Sequence, residues 1–100
     1  VIRLCESLPE TKTSSVIGHQ LLRSGTSVGA NYRAACRAKS TADFINKLAI
    51  VEEETDESNY WIELLIESNQ VKKSLVENLL NEDDEILSIV VSAIKTSKEK

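Results

Sequence analysis

RSGTSVGANYR, residues 23–33, is crowded with glycine and small hydroxyl side chains. Two kinds of structure use such a stretch. A glycine-rich loop converges its backbone N–H groups on a phosphate; a helix stripped of bulk admits a neighbouring helix at close range. The phosphate loop needs Gly-x-x-x-x-Gly-Lys-Ser/Thr directly after a strand. Here only three residues separate Gly25 from Gly29, no Lys follows, and no strand-like alternation precedes. The helix fits better. An interior Gly costs up to about 1 kcal/mol against Ala, so some packing gain has to offset it. Gly18, Gly25 and Gly29 fall along one helical stripe, and small residues at such spacing let backbones approach. The stretch therefore predicts a continuous helix with three close-packing glycines.

The pattern extends on both sides. From Val16, the residues Ile17, Leu21, Ser24, Val28 and Ala35 form one stripe. Gly18, Leu22, Gly25, Gly29, Tyr32 and Cys36 form the next. Ser14 or Ser15 can cap this helix, the hydroxyl accepting from an orphan backbone N–H. Upstream, Val1 to Leu8 is a short apolar stretch stopped by Pro9, and it reads as the tail of a longer first helix with a trimmed start. Downstream, residues 38–41 turn the chain, and Ser40 with Asp43 resembles a capping box. A long helix then runs to about Asn69 with Phe44, Leu48, Val51, Thr55, Ser58, Ile62 and Leu65 as its seam. Ser74 with Glu77 caps a last helix. Its apolar positions are Leu75, Leu79, Ile86, Val90 and Ala93, with Leu80, Leu87, Val91 and Ile94 beside them. The run NEDDE at 81–85 either faces solvent or breaks that helix. Short connections fold successive helices back as antiparallel neighbours. The expected fold is one all-α domain over residues 1–100, an up-down four-helix bundle with a shortened first helix.

Composition narrows the function classes. The 100 residues are 41% apolar, enough for a core, with no apolar run near the roughly 20 residues a membrane span needs. Cys5 and Cys36 lack metal-ligand spacing. They are expected to be reduced apolar fillers in a cytoplasmic protein. The formal charge of −4 is unevenly spread. Arg23, Arg33, Arg37, Lys39 and Lys47 face only Asp43 between residues 23 and 47, whereas residues 52–67 carry seven acids and no base. Neighbouring segments of opposite sign suggest pairing inside the chain first.

Folding the second helix onto the third about residues 39 and 40 sets Arg23 at the level of Glu54 and Glu57, and His19 at that of Tyr60. Ile50, Trp61 and Leu64 share the face of the two acids. A buried Arg23 pair with one or both is expected, because a guanidinium meets carboxylates in two-point contact. Tyr60 and Trp61 complete the core or anchor a subunit interface, where such residues are enriched.

No catalytic set assembles from these residues. A di-metal bundle needs two Glu-x-x-His motifs. His19 is the sole histidine and no such motif is present. No catalytic residue, metal, cofactor or small-molecule substrate is expected. Arg33, Arg37, Lys39 and Lys47, with Tyr32 nearby, could contact phosphates of RNA or DNA, which require little more than a basic patch; a solvated loop explains them equally.

LLRSGTSVGANYRAACRAKS, DFINKLAIVEEETDESNYWIELL and the terminal IKTSK resemble the 23S rRNA-intervening-sequence proteins. The resemblance implies a cytoplasmic bacterial four-helix bundle without established catalytic residues. The family's recurrent polar positions match Arg23, Ser24, Asn31, Glu54 and Glu57. Its relatives resemble the accessory variability proteins of diversity-generating retroelements, which form five-membered barrels and bind nucleic acid and a reverse transcriptase. The resemblance thus implies a homo-oligomer, a pentamer first, serving as a scaffold, with RNA, DNA or a nucleic-acid enzyme as partner. The acidic balance departs from those strongly basic accessory proteins.

Overall fold

The computed structural model describes residues 1–99. Four helices follow in order: α1 (Ile2–Ser7), α2 (Lys12–Cys36), α3 (Thr41–Glu67) and α4 (Lys73–Lys98). α2 packs on α3, α3 on α4, and α1 on α2, as short connections between antiparallel neighbours require. The body is elongated, 48 × 20 × 16 Å.

Residues 23–33 lie inside one unbroken helix, with no positive φ at any glycine. Hydroxyls in the stretch bond back to the preceding turn. Thr26 Oγ1 donates to the Leu22 carbonyl at 2.7 Å, and Ser24 Oγ to that of Leu21 at 3.3 Å. The glycines, however, do not meet α3. A Cβ built on Gly18 would stand 2.8 Å from Leu8 Cδ1, and one on Gly25 would stand 2.7 Å from Val1 Cγ1. It is the short α1 that they admit. Gly29 is a correction to the close-packing expectation: nothing lies within 4 Å of its added Cβ. α1 runs antiparallel to α2 and reaches only as far as Gly25. Gly29→Ala should therefore raise stability by about 0.5–1 kcal/mol in urea unfolding, the ordinary helix gain. Gly25→Ala should forfeit that gain, since Val1 must shift.

The helix ends follow local chemistry. Ser40 caps α3, its Oγ accepting from the Asp43 N–H at 3.0 Å. The cap of α2 is Thr11, not Ser14 or Ser15; its Oγ1 accepts from the Ser14 N–H. Ser14 is instead buried, and its hydroxyl donates to Gln70 Oε1 at 2.8 Å. Thr11 donates to the same oxygen, which ties the α3–α4 loop to the start of α2. Just past the end of α3 lies Asn69, among the described residues the one non-glycine with positive φ, 59°. The Gln70 N–H reaches the Leu65 carbonyl and the Asn69 N–H that of Ile66, which satisfies the last turn. α4 starts at Lys73 with no side-chain cap, so the expected Ser74 cap is not formed.

Seam residues of α2 and α3 are buried as their spacing dictates: Ile17, Leu21, Ser24 and Ala35 on α2, and Leu48, Val51, Thr55, Ser58, Ile62 and Leu65 on α3. α4 packs through its expected stripe in part: Val90 is buried, and Leu79, Ile86 and Ala93 lie half-buried against the core. Its buried residues are Val76, Asp83 and Val90, while Leu75 is 75% exposed. The helix is continuous through residues 81–85, and Asp83 points inward.

Candidate functional site

Apolar burial in the bundle falls into two clusters. Ile17, Leu21, Ile62, Leu65 and Val76 build one, against which α1 packs through Val1, Leu4, Cys5 and Leu8. Ala35, Leu48, Val51 and Val90 build the other. Between them, each long helix contributes buried polar groups: Ser24 from α2, Thr55 and Ser58 from α3, and Asp83 from α4. The antiparallel packing brings these positions to mid-height. Ser24 Oγ and Ser58 Oγ share a hydrogen bond of 2.9 Å across the α2–α3 interface. Thr55 satisfies itself on the Val51 carbonyl at 2.7 Å. Asp83 Oδ2 is buried with no partner. Burial pushes the Asp83 carboxyl up to about 6, helped by the adjacent Glu82 and Asp84.

The outer rim of the α2–α3 interface carries the Arg23 contacts. Its guanidinium meets Glu54 at 3.3 Å through Nη1 and Glu57 through Nη2, while Nε donates to Gln20 at 3.2 Å. The side chains of Arg23, Glu54 and Glu57 are 46%, 22% and 40% exposed. The expectation of a buried pair is thereby corrected: the contact is made, but at the water's edge, because these residues sit beside the seam rather than in it. Arg23→Ala should cost less than about 1 kcal/mol, and that cost should fade in a denaturation series at high salt.

The remaining expected site residues separate. Trp61 packs against the first apolar cluster, with its Nε1 buried and unpartnered, while Tyr60 is half exposed. Their rings meet edge to face at 4.9 Å. Asn31 donates to the Ser27 carbonyl at 2.9 Å. Arg33, Arg37 and Lys39 are exposed at the α2–α3 turn, and Lys47 is half-buried on α3. Among the described residues, Arg23 alone makes ion pairs, so the expected pairing of the basic and acidic segments within the chain goes no further. His19 is exposed, and among the described residues no group of His, Cys, Asp or Glu converges as metal ligands would. Cys5 is half-buried, its thiol pushed up by burial and donating to the Gly18 carbonyl at 3.6 Å. Cys36 is exposed, contrary to its expected filler role, because α1 does not reach that far along α2. Among the described residues no helix is long and apolar enough to cross a membrane.

The Asp83 burial and the Ser24–Ser58 bond were not foreseen as a unit. Their signal was available: a small or polar residue interrupting the apolar stripe near the middle of each long helix.

A family model described as 23S rRNA-intervening sequence protein matches residues 1–92. A search of curated proteins gives no match. Among solved structures, the chain is similar to a protein of unknown function from the S23 ribosomal protein family of Bacteroides thetaiotaomicron. The two share 48% identity at a TM-score of 0.77, over 80% of this chain and 71% of that one. With the match spanning nearly the whole sequence, and with the helical bundle shared with a 48% identical relative, the chain belongs to the 23S rRNA-intervening sequence protein family.

Proposed function

We propose that the chain is a non-enzymatic assembly module, a bundle that associates with copies of itself and presents the assembled surface to a partner. The observation that supports this is the number of large apolar side chains left on the outside. Val16, Leu22, Tyr32, Tyr60, Leu75 and Ile89 are all exposed, on more than one helix. Scattered apolar residues are ordinary on a surface, but so many on a slender bundle favour burial against another chain. Five is the first copy number to look for, on the sequence resemblance alone, which implies that relatives of the family are similar to five-membered retroelement accessory proteins. Sedimentation equilibrium of the whole chain tests the reading. A single species above monomer mass at micromolar concentration supports it; a monomer throughout that range overturns it.

A second reading draws on Arg33, Arg37 and Lys39, exposed near Tyr32 with no carboxylate partner among the described residues. In it, the assembled protein binds RNA or DNA through these residues and Lys47. Retention of mixed RNA should then weaken steeply as salt rises, because phosphate contacts release counterions. Absent or salt-indifferent retention overturns it.

A further inference from the structure

α2 contains no acidic residue. Along its outer face His19, Arg23, Thr26, Ala30, Arg33 and Arg37 recur at alternating intervals of four and three residues, and all are exposed. α3 shows the counterpart. Glu53, Asp56, Tyr60, Glu63 and Glu67 recur at alternating intervals of three and four, and all are exposed. Such spacing keeps a stripe straight along one side of a helix, the geometry by which two helices lie side by side. One stripe is basic at its ends with small residues at its centre. The other is acidic at its ends with a large aromatic at its centre.

Within one chain these stripes do not meet. Both point outward, and Arg23 turns to Glu54 and Glu57, which lie off the acidic stripe. A single partner offers both complements at once: another copy of the same chain.

We propose that the α2 stripe of one copy seats against the α3 stripe of a second, Tyr60 entering the gap over Thr26 and Ala30 and the arginines flanking it meeting Asp56, Glu63 and Glu67. In this register the two helices run in the same direction, with Arg33 facing Glu63, Arg37 facing Glu67 and Arg23 facing Asp56. The interface rests on the assembly reading above and gives it a surface and a character. It is polar and electrostatic, and unlike charges set its register.

The test measures solution mass of the whole chain at about 0.1 M and about 1 M salt, where the screening length falls from about 10 to about 3 Å. Wild type is compared with R33E/R37E, with E63K/E67K and with the fourfold variant carrying both pairs. Every substituted residue is exposed, so circular dichroism should show helicity unchanged. The oligomer is expected at low salt, dissociating at high salt. Each double reversal should lower the mass toward monomer, and the fourfold variant should restore it. An oligomer whose mass ignores salt and all three variants overturns this interface while leaving assembly standing. A wild-type monomer under both conditions overturns both. RNA retention abolished by R33E/R37E with mass unchanged also overturns it, and assigns the basic stripe to nucleic acid.

Discussion

Asp83→Asn will raise the melting temperature near neutral pH and change it little near pH 4. The carboxyl is buried at mid-height, its Oδ2 has no partner, and its pKa stands at about 6 rather than the ordinary 3.8. Between those values the folded protein holds a proton that the unfolded chain has released. The Asp83 contribution is therefore least unfavourable below about pH 4, worsens as pH climbs to about 6, and carries the full penalty above. A shift of this size corresponds to about 3 kcal/mol at neutral pH. For a domain of this length that is a rise of more than about 10 °C. The groups around the carboxyl explain the direction. Desolvation disfavours the charge, and Glu82 and Asp84 repel it. The buried hydroxyls of Ser24, Thr55 and Ser58 do not titrate in this range. Thermal melts of both proteins at the two pH values decide the matter; an equal difference at both would show that Asp83 does not titrate on folding as stated.

Leu21→Ala will destabilise the bundle by about 2–5 kcal/mol, the range for emptying a fully enclosed leucine site. Leu21 is completely buried in the first apolar cluster, to which α2, α3 and α4 contribute and against which α1 packs. Leu75→Ala is the control. Both leucines belong to apolar stripes of the sequence, yet Leu75 is largely exposed and its truncation should change monomer stability by less than about 0.5 kcal/mol. Urea unfolding of the two variants measures the contrast directly. Similar losses at both positions would place Leu75 in the core, as its stripe suggests, rather than on the surface.

That contrast marks where the sequence was legible. On α2 and α3 the stripes name the buried residues nearly one for one, because apolar and small residues sit on one face and charges on the others. α4 follows this pattern only in part. Of the expected face Leu75, Leu79, Ile86, Val90 and Ala93, Val90 is buried and Leu79, Ile86 and Ala93 pack half-buried against the core, but Leu75 is exposed and the most enclosed line runs through Val76, Asp83 and Val90. An aspartate within NEDDE carries every mark of a solvent-facing residue, and only the packing of α4 on α3 turns it inward. Arg23 was legible in its partners and not in its burial. Folding the hairpin in register finds Glu54 and Glu57, but how deeply they lie depends on interhelical rotation, which periodicity leaves free. The glycines were legible as a helix stripe, whereas the identity of the helix crossing them followed from the reach of α1.

The hydroxyls at mid-height have a bearing on alignment. Helices lined from end to end with leucine can slip past one another by a turn, about 5.4 Å, at little cost. Here a slip would part the two serine oxygens and carry Ser24 toward the hydrocarbon of Ile62 or Val51, whereas Asp83, already without a partner, loses no bond by it. The midpoint thus works as a notch, locking the longitudinal phase of α2 against α3, which leucine and valine alone would leave free to slide.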